Sequence, residues 1–454
     1  MKYTDIQPVR ELASRCHQIY MVGGALRDHL LGIESRDIDL VIDRDPKEVL
    51  RGKAFPLDEE RGIYRLLWQN LTIDVSKMQG KSIEEDLLRR DYTVNALAYD
   101  IKGQRIIDPT GGLRDLKDRL LKPVSQKNLK EDPIRLLRGI RLWLHLPLKM
   151  AKKTERAISE LSPLLQKSAP ERIKDELAKI ISHPVSHKAI LLANRLKLLD
   201  KIFPEIAPCT GLFQGKFRGC DLKEHLIYCY QCTERIINFM QFFFPEEPVQ
   251  KAVIREAEKG IRTANLIKIA ALLHDIGKPE TFRIQNDEYT FWGHDRLGGE
   301  MAKEAMERLK FSSKSVRLVS DMVANHMRLH LLARTGEITP RAKGRFFRNL
   351  KESAIPTVIL SLADSWASSG DAGFFYLLRY ARQMIDFYLE MLKEEKLQKP
   401  LLSGYEVMDI LKIGPGPMVG RVLKSLLEEQ TEGKIRTKEE AVKYVLEVFG
   451  NGQG

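Results

Sequence analysis

The hydrophobic pattern divides the chain into two unequal parts. In the first third, short apolar runs alternate with turn residues, as expected of strands mixed with helices. "IYMV" (19–22) predicts a strand, "GG" a turn, and "ALRDHLLG" a short helix closed by Gly32. "DIDLVI" predicts the next strand, and "GIYRLLW" and "LTIDVS" two more, paired as a hairpin around "QN". "SIEEDLLRRDYTVNALAYD" opens with Ser82 and carries Glu85 three residues on, a capping-box pattern. "QRIIDPTGG" predicts a short strand leaving into a Gly-rich loop. Beyond about residue 124 the strand signals fade, and everything onward is predicted as helices with short loops, broken at "FFFPEEP" and "GPGP". In "EDPIRLLRGIRLWL", Asp132 is the predicted N-cap and Pro133 the first helical residue. The pattern therefore predicts an α+β head followed by a long all-α body, with no internal repeat.

One strand breaks its own pattern. In "SRDIDLVID", Asp37 and Asp39 lie two apart within an apolar run. Side chains alternate along a strand, so both carboxylates face the same way. Two like charges there are costly without a counter-charge. A divalent cation is the natural partner: Mg²⁺ takes oxygen ligands from one or two carboxylates and fills its other positions with water and phosphate oxygens. Gly23 and Gly24 precede a helix N-terminus, where free N–H groups attract phosphate, and Arg27 follows within the first turn.

Composition narrows the class. No apolar run of 18 residues occurs, and the first residues lack the apolar core of a signal peptide, so a cytoplasmic protein is expected. Five irregularly spaced cysteines fit reduced thiols, with Cys229 and Cys232 expected on one buried helix face. The formal charge is +12. It is concentrated in residues 124–210, which hold 17 basic and 9 acidic residues, whereas residues 1–123 are balanced at 21 each. Such a local excess is the footprint expected for a polyanion.

"GGALRDHLLG…SRDIDLVI", "RRDYTVNALAYD", "DPTGGLRDLKDR", "EDPIRLLRGIR" and "ERIKDELAKI" resemble, in order, the motifs of class II tRNA nucleotidyltransferases and the related bacterial poly(A) polymerases. The resemblance covers roughly residues 20–180. It implies a polymerase-β-like head (1–123), a helical neck for base selection and RNA binding (124–210), a body (211–375) and a helical, RNA-binding tail (376–454). It also implies Mg²⁺-dependent addition of nucleotides to an RNA 3′ end without a template. By resemblance, Asp37 and Asp39 bind the metal and Asp74 helps activate the 3′ hydroxyl. Arg90, Asp91 and Asn95 read sugar and phosphates, Gly23, Gly24 and Arg27 belong to the same nucleotide-binding set, and Asp108, Gly111, Gly112 and Asp115 form a hinge. Asp132 and Arg135, on one helical face, select the base, and Arg138 and Glu171 support them. An acceptor and a forked donor can imitate a Watson–Crick edge, and such a site rejects bases that leave its buried groups unpaired.

The body carries His225, then the adjacent His274 and Asp275 of "ALLHDIGKP", then His294, His326 and Asp364. Gly277 is expected to close the helix. This order resembles the HD phosphohydrolase superfamily. His225, His274, Asp275 and Asp364 would bind a metal, with His294 and His326 as further ligands or as substrate contacts. Imidazoles with carboxylates suit Mn, Fe, Ni or Zn better than Ca²⁺. In the tail, "GPGP" before a helix could hold an RNA phosphate.

Relatives that add the terminal A usually carry a longer flexible segment before "SIEEDLLRRD"; here only "KMQGK" follows "LTIDVS". The expected activity is therefore CC addition to tRNA 3′ ends from CTP. Full CCA addition using ATP as well, or poly(A) addition, is the same-class alternative. A phosphohydrolase acting on RNA-end or cyclic phosphates, with an RNA-binding head, is the second. A non-catalytic RNA-binding protein is the third, and the intact DxD argues against it.

Overall fold

In the computed structural model, which describes residues 6–50, 54–59, 62–213, 219–286, 288–393 and 400–450, the alternating runs of the first third become seven strands. They are β1 (Ile19–Val22), β2 (Asp37–Ile42), β3 (Phe55–Asp58), β4 (Ile63–Trp68), β5 (Leu71–Lys77), β6 (Ala98–Asp100) and β7 (Arg105–Ile107). They form one sheet in the order β3-β4-β5-β2-β1-β6-β7. β2 and β5 pair parallel, and the other neighbours pair antiparallel. β4 and β5 form the expected hairpin, turning at Gln69 and Asn70. Ile38, Leu40 and Ile42 are buried on one face of β2. On the opposite face Val41 packs with Tyr20, Val22, Ile83 and Leu87. Asp37 and Asp39 continue that second face outward, beyond the apolar cover.

The chain divides into two compact units, residues 1–202 and 203–454. The first contains the sheet and the helices up to Leu199–Ile202. Tyr92 is fully buried, and its hydroxyl donates to the carbonyl of Arg135 at 2.9 Å. Gly139 lies inside the helix Ile134–His145 because a Cβ there would meet Tyr92 Oη at 1.9 Å. Gly139→Ala is therefore expected to destabilise the first unit by about 1–3 kcal/mol, measured as a lower denaturant midpoint.

The second unit is helical, as read, with one correction. Among the described residues it makes two small strand pairs, Glu256–Glu258 with Ile261–Arg262 and Arg283–Gln285 with Glu288–Thr290, and in the first unit Leu120–Leu121 pairs with Lys149–Met150. Two or three residues are too few to display a period of two, so no sequence signal announced them. The helix Leu222–Asn238 starts with a full capping box between Asp221 and Glu224. The long helix Ala354–Lys393 is broken at Gly370, whose φ is 64°. The helices Gly404–Leu411, Pro417–Thr431 and Lys438–Phe449 enclose their own apolar core around Val407, Val422, Leu426 and Val445. Among the described residues, no helix is long and apolar enough to cross a membrane. None of the five cysteines forms a disulfide.

Candidate functional site

The acidic strand meets a third carboxylate. In the parallel register of β2 and β5, Asp39 lies opposite Asp74 and Asp37 opposite Thr72, so Asp37, Asp39 and Asp74 project from the same face. Gly23 opens the helix Gly23–Leu30 with φ +70°, and a Cβ on it would come within 3.0 Å of Asp39 Oδ2. Glycine is thus required there by both backbone conformation and close approach. Burial raises the Asp39 carboxyl, and the charges of Asp74 and Asp37 add to it; Arg90 and the Gly24 N–H act against the rise. Asp74 is gripped by a guanidinium fork from Arg65, with Nε at 2.7 Å from Oδ1 and Nη2 at 2.8 Å from Oδ2. Arg65 had escaped the sequence reading. Its signal is positional: in the hairpin register it lies opposite Asp74. Asp37 and Asp39, on one face of β2, offer the carboxylate oxygens a hard cation takes.

Behind this face runs a chain of charge-assisted hydrogen bonds. Arg27 Nη1 donates to Asn95 Oδ1 at 2.6 Å, and Asn95 Nδ2 donates to Asp91 Oδ1 at 3.0 Å. Arg138 reaches Asp91 Oδ2 at 3.2 Å and Glu176 at 3.4 Å, and Arg141 reaches Glu176 at 2.6 Å. Burial would push Asp91 up, but Arg138, the Asn95 amide and the Tyr92 N–H outweigh it and hold the carboxyl below its usual range. Arg90 stands apart from Asp91 and pairs with Asp86 at 3.1 Å. Glu171 enters none of the ion pairs among the described residues; the buried carboxylate of this motif is Glu176, one and a half turns further along the helix Pro170–Ile181. Asp108 receives the N–H groups of Thr110, Gly112 and Leu113, with Gly111 left-handed at φ 77°. Asp115 accepts from Thr93 Oγ1 at 2.8 Å. These residues make a tight structural joint.

Asp132 departs from expectation. It is not an N-cap: with φ −133° and ψ 86° it ends the helix Gln126–Glu131, and Pro133 precedes a helix that begins at Ile134. Its carboxylate is taken by Arg172, at 2.7 and 2.8 Å from the two guanidinium nitrogens. Arg135 Nε stands 3.6 Å away. A bidentate fork outcompetes the backbone N–H of a helix start because both oxygens are matched at once. Burial raises Asp132, but the Arg172 fork and Arg135 together hold it below the usual range. Arg135 Nη1 donates to the Asn128 carbonyl at 3.2 Å, while its Nε is buried without a hydrogen-bond partner. An ionised carboxylate has about four lone-pair sites, so Asp132 keeps acceptor capacity beside an unsatisfied donor.

In the second unit the predicted histidines converge. His225, His274, Asp275 and Asp364 have ligand atoms within 4.8 Å of one another, as do Asp275, His294 and His326. Asp275 serves both groups. Its Oδ2 is 3.2 Å from His274 Nε2, and its Oδ1 is 3.3 and 3.5 Å from His294 Nε2 and His326 Nε2. His225 Nε2 lies 3.2 Å from Asp364 Oδ1. Three imidazoles are oriented alike, with Nδ1 against the carbonyl three residues back: His274 to Ala271, His294 to Phe291 and His326 to Val323. That contact directs each Nε2 inward. Asp275 Oδ1, His294 Nε2 and His326 Nε2 are buried without hydrogen-bond partners. Burial opposes charge on His274 and Asp275, yet Asp275 holds the His274 imidazolium well above its usual range, and Lys278 and His274 hold Asp275 well below. The two carboxylates and the inward-turned Nε2 atoms form a donor set that fits a metal ion. His330, missed in the sequence, adds Nε2 at 3.3 Å from Asp364 Oδ2; its signal was the spacing from His326, i to i+4 on one helical face. Gly277 does not close the helix in a left-handed turn. Its φ is −77°, and it is small because a Cβ would strike the His294 carbonyl at 2.4 Å.

The family model for the poly(A) polymerase head domain matches residues 19–122. The probable RNA- and SrmB-binding site of polymerase A matches 147–210, and the HD domain matches 251–368. A CC-adding tRNA nucleotidyltransferase of Thermus thermophilus is 36% identical, with 94% of this chain and 93% of the relative covered. The chain belongs to the tRNA nucleotidyltransferase family. An A-adding tRNA nucleotidyltransferase of Deinococcus radiodurans is 35% identical, with 94% of each chain covered. A solved structure of a CCA-adding enzyme with CTP shares the fold, with a TM-score of 0.66 at 21% identity over 98% of this chain and 94% of that one. For a tRNA nucleotidyltransferase, the acidic face and the Asp91 and Asp132 networks all lie within the first unit, and the HD histidines within the second.

Proposed function

We propose that this protein adds two C residues from CTP to the 3′ end of tRNA in the cytoplasm. The observation that carries the reading is the register placing Asp39 beside Asp74, with Asp37 on the same face. Asp37 and Asp39 would hold Mg²⁺, which when bound neutralises triphosphate charge and favours ionisation of the attacking hydroxyl. The 3′ oxygen attacks the α-phosphorus, pyrophosphate leaves, and Asp74, oriented by Arg65, accepts the hydroxyl proton. Arg27, fixed through Asn95 and Asp91, faces the phosphates. Asp132 and Arg135, oriented by Arg172, present acceptor and donor to the base. The basic stretch 124–210 supplies phosphate contacts that position RNA without reading its sequence.

The choice of C is supported by the full-length relatives named for CC addition and by the short connection after β5. Only residues 78–82 separate β5 from the helix Ile83–Leu88. That connection is pinned, since Gln79 N donates to Asp86 Oδ2 and Lys81 N to Glu85 Oε2, both at 2.9 Å. The relative named for A addition favours a second reading, addition of the terminal A alone. Incubation of the protein with tRNA lacking CCA, or ending in CC, and each labelled NTP separately decides it. Two C residues on the first substrate and no A on the second are expected; efficient A addition to the CC-ending tRNA would refute CC specificity.

For the second unit, the unpartnered Asp275, His294 and His326 atoms support metal-dependent hydrolysis of phosphate esters, RNA-end or cyclic phosphates among them. One chain would then carry both a nucleotidyl-transfer head and a hydrolase body. His274→Ala is expected to abolish phosphatase activity measured with added Ni²⁺ or Mn²⁺, whereas equal activity in wild type and variant would eliminate the idea.

A further inference from the structure

The face that carries Asp37, Asp39 and Asp74 runs past them to the edge of the sheet. In the pairing of β3, β4, β5 and β2, one row across the sheet holds Phe55, Arg65, Asp74 and Asp39, and the next holds Leu67, Thr72 and Asp37. Paired residues project to the same side, so Phe55 and Leu67 share a face with the carboxylates. On the reverse face Leu66 is buried and lines a small cavity with Leu12 and Val49, from the helices Gln7–Arg15 and Pro46–Leu50. On the carboxylate face Leu67 is 64% exposed and Phe55 48%. A single exposed apolar side chain means little. Two of them in register with an acidic site form a strip continuous with that site.

The position of the strip selects its occupant. β1 and β5 flank β2 on opposite sides. The groups suited to a triphosphate gather on the β1 side: the helix Gly23–Leu30 follows β1 directly, Gly23 closely approaches Asp39, and Arg27 is tied to Asn95, which precedes β6. In phosphoryl transfer the attacking and leaving oxygens lie roughly in line across the phosphorus. Pyrophosphate leaving toward that helix therefore requires the 3′ oxygen to arrive from the β5 side, where Asp74 stands. The nucleoside bearing that oxygen then covers β4 and β3. At about 4.8 Å between strands, Leu67 lies one strand from β5, and Phe55 two strands, about 10 Å, from Asp74.

We infer that the last nucleoside of the RNA being extended lies on this strip, its base against Leu67 and Phe55. The inference rests on the nucleotidyl-transfer reading and names the residues that hold its second substrate. Neither side chain carries a hydrogen-bonding group, so the strip holds a base by its flat face and reads none of its edges. Every base offers such a face. A nucleotide just added can therefore take the place of the one before it. Asp132 and Arg135 choose the incoming nucleotide, whereas the strip accepts whichever base ends the RNA.

The test uses the full chain and tRNA lacking CCA, made with each of the four 3′-terminal bases and, in a fifth version, with a 3′-terminal nucleotide that has no base. Phe55→Ala, Leu67→Ser and the double variant are compared with wild type. Both side chains are substantially exposed, so thermal unfolding should be unchanged. The double variant is expected to lose about 10-fold or more in kcat/KM for the RNA, with KM for CTP unaltered. Wild type should use the four terminal bases within about 10-fold of one another. It should lose the same factor on the baseless end, where the double variant loses nothing further, because the two changes remove one contact. Equal kcat/KM of wild type and double variant on base-bearing RNA would overturn the proposal. So would an undiminished loss by the double variant on the baseless end, or a preference above about 10-fold for one terminal base. A wild-type dimer in sedimentation that the double variant dissolves, with RNA use unchanged, would assign the strip to a second copy and overturn it as well. Failure of the underlying reading shows differently. A wild type that extends neither these RNAs nor tRNA ending in CC, with any NTP, refutes nucleotidyl transfer; extension by wild type and double variant alike refutes the strip alone.

Discussion

Asp37→Ala and Asp39→Ala are each expected to reduce single-turnover incorporation of CTP at least about 10³-fold. The carboxylates would hold the cation that offsets the charge of the triphosphate, a contribution of several kcal/mol to the transition state, with each 1.36 kcal/mol worth tenfold. Asp37 is exposed and takes no part in the packed face of β2, so its loss should leave thermal unfolding unchanged while activity disappears. Any hydrolysis by the second unit should persist in both variants. Activity of Asp37→Ala and Asp39→Ala within a few-fold of wild type would mean that these carboxylates do not serve the reaction.

The second large effect concerns which nucleotide is used. Asp132→Ala is expected to lower the preference for CTP over UTP, measured as the ratio of kcat/KM values, by about 10²-fold or more. A site that hydrogen-bonds the right base discriminates through the groups the wrong base leaves unpaired, and such sites reach 10⁴–10⁵. Removing the carboxylate leaves Arg172 without its acceptor and Arg135 without its neighbouring counter-charge. Arg172→Ala should shift the ratio in the same direction by less, because Arg172 orients Asp132 by its fork without itself reading the base. An Asp132→Ala enzyme with unchanged CTP preference and lower activity with every nucleotide would make Asp132 a purely structural anchor.

These two sites differ in how far the sequence disclosed them. The acidic strand was legible because its chemistry lies along one strand. A period of two puts Asp37 and Asp39 on one face, whereas Asp74 was named by the resemblance, and only the parallel pairing of β2 with β5 sets it opposite Asp39. Arg65 was legible in principle, since the hairpin turning at Gln69 and Asn70 sets it opposite Asp74, but an arginine on a strand carries no signal until that register is followed across. The neck was harder still. Asp132 was read from its local surroundings as a helix cap, but its partner is Arg172, forty residues on, and a tertiary guanidinium fork overrode the local signal. Glu176 displaced Glu171 for a similar reason, as the helix Pro170–Ile181 turns Glu176 toward Arg138 and Arg141 and not Glu171. In the body, the order of histidines and aspartates identified the cluster, because "HDIGKP" is distinctive. The residues named around it carried local meanings that changed in three dimensions. Gly277, read as a helix stop, is instead a point of close backbone approach.

The central claim is that the acidic face of β2 and β5 holds the cation and the nucleotide for transfer. A crystal soaked with CTP and Mn²⁺, the latter located by its anomalous signal, tests it most directly. The account predicts metal density bridging Asp37 and Asp39 to the triphosphate, with the cytosine edge at Asp132 and Arg135. Both aspartates free of metal, with CTP bound elsewhere in the chain, would contradict it.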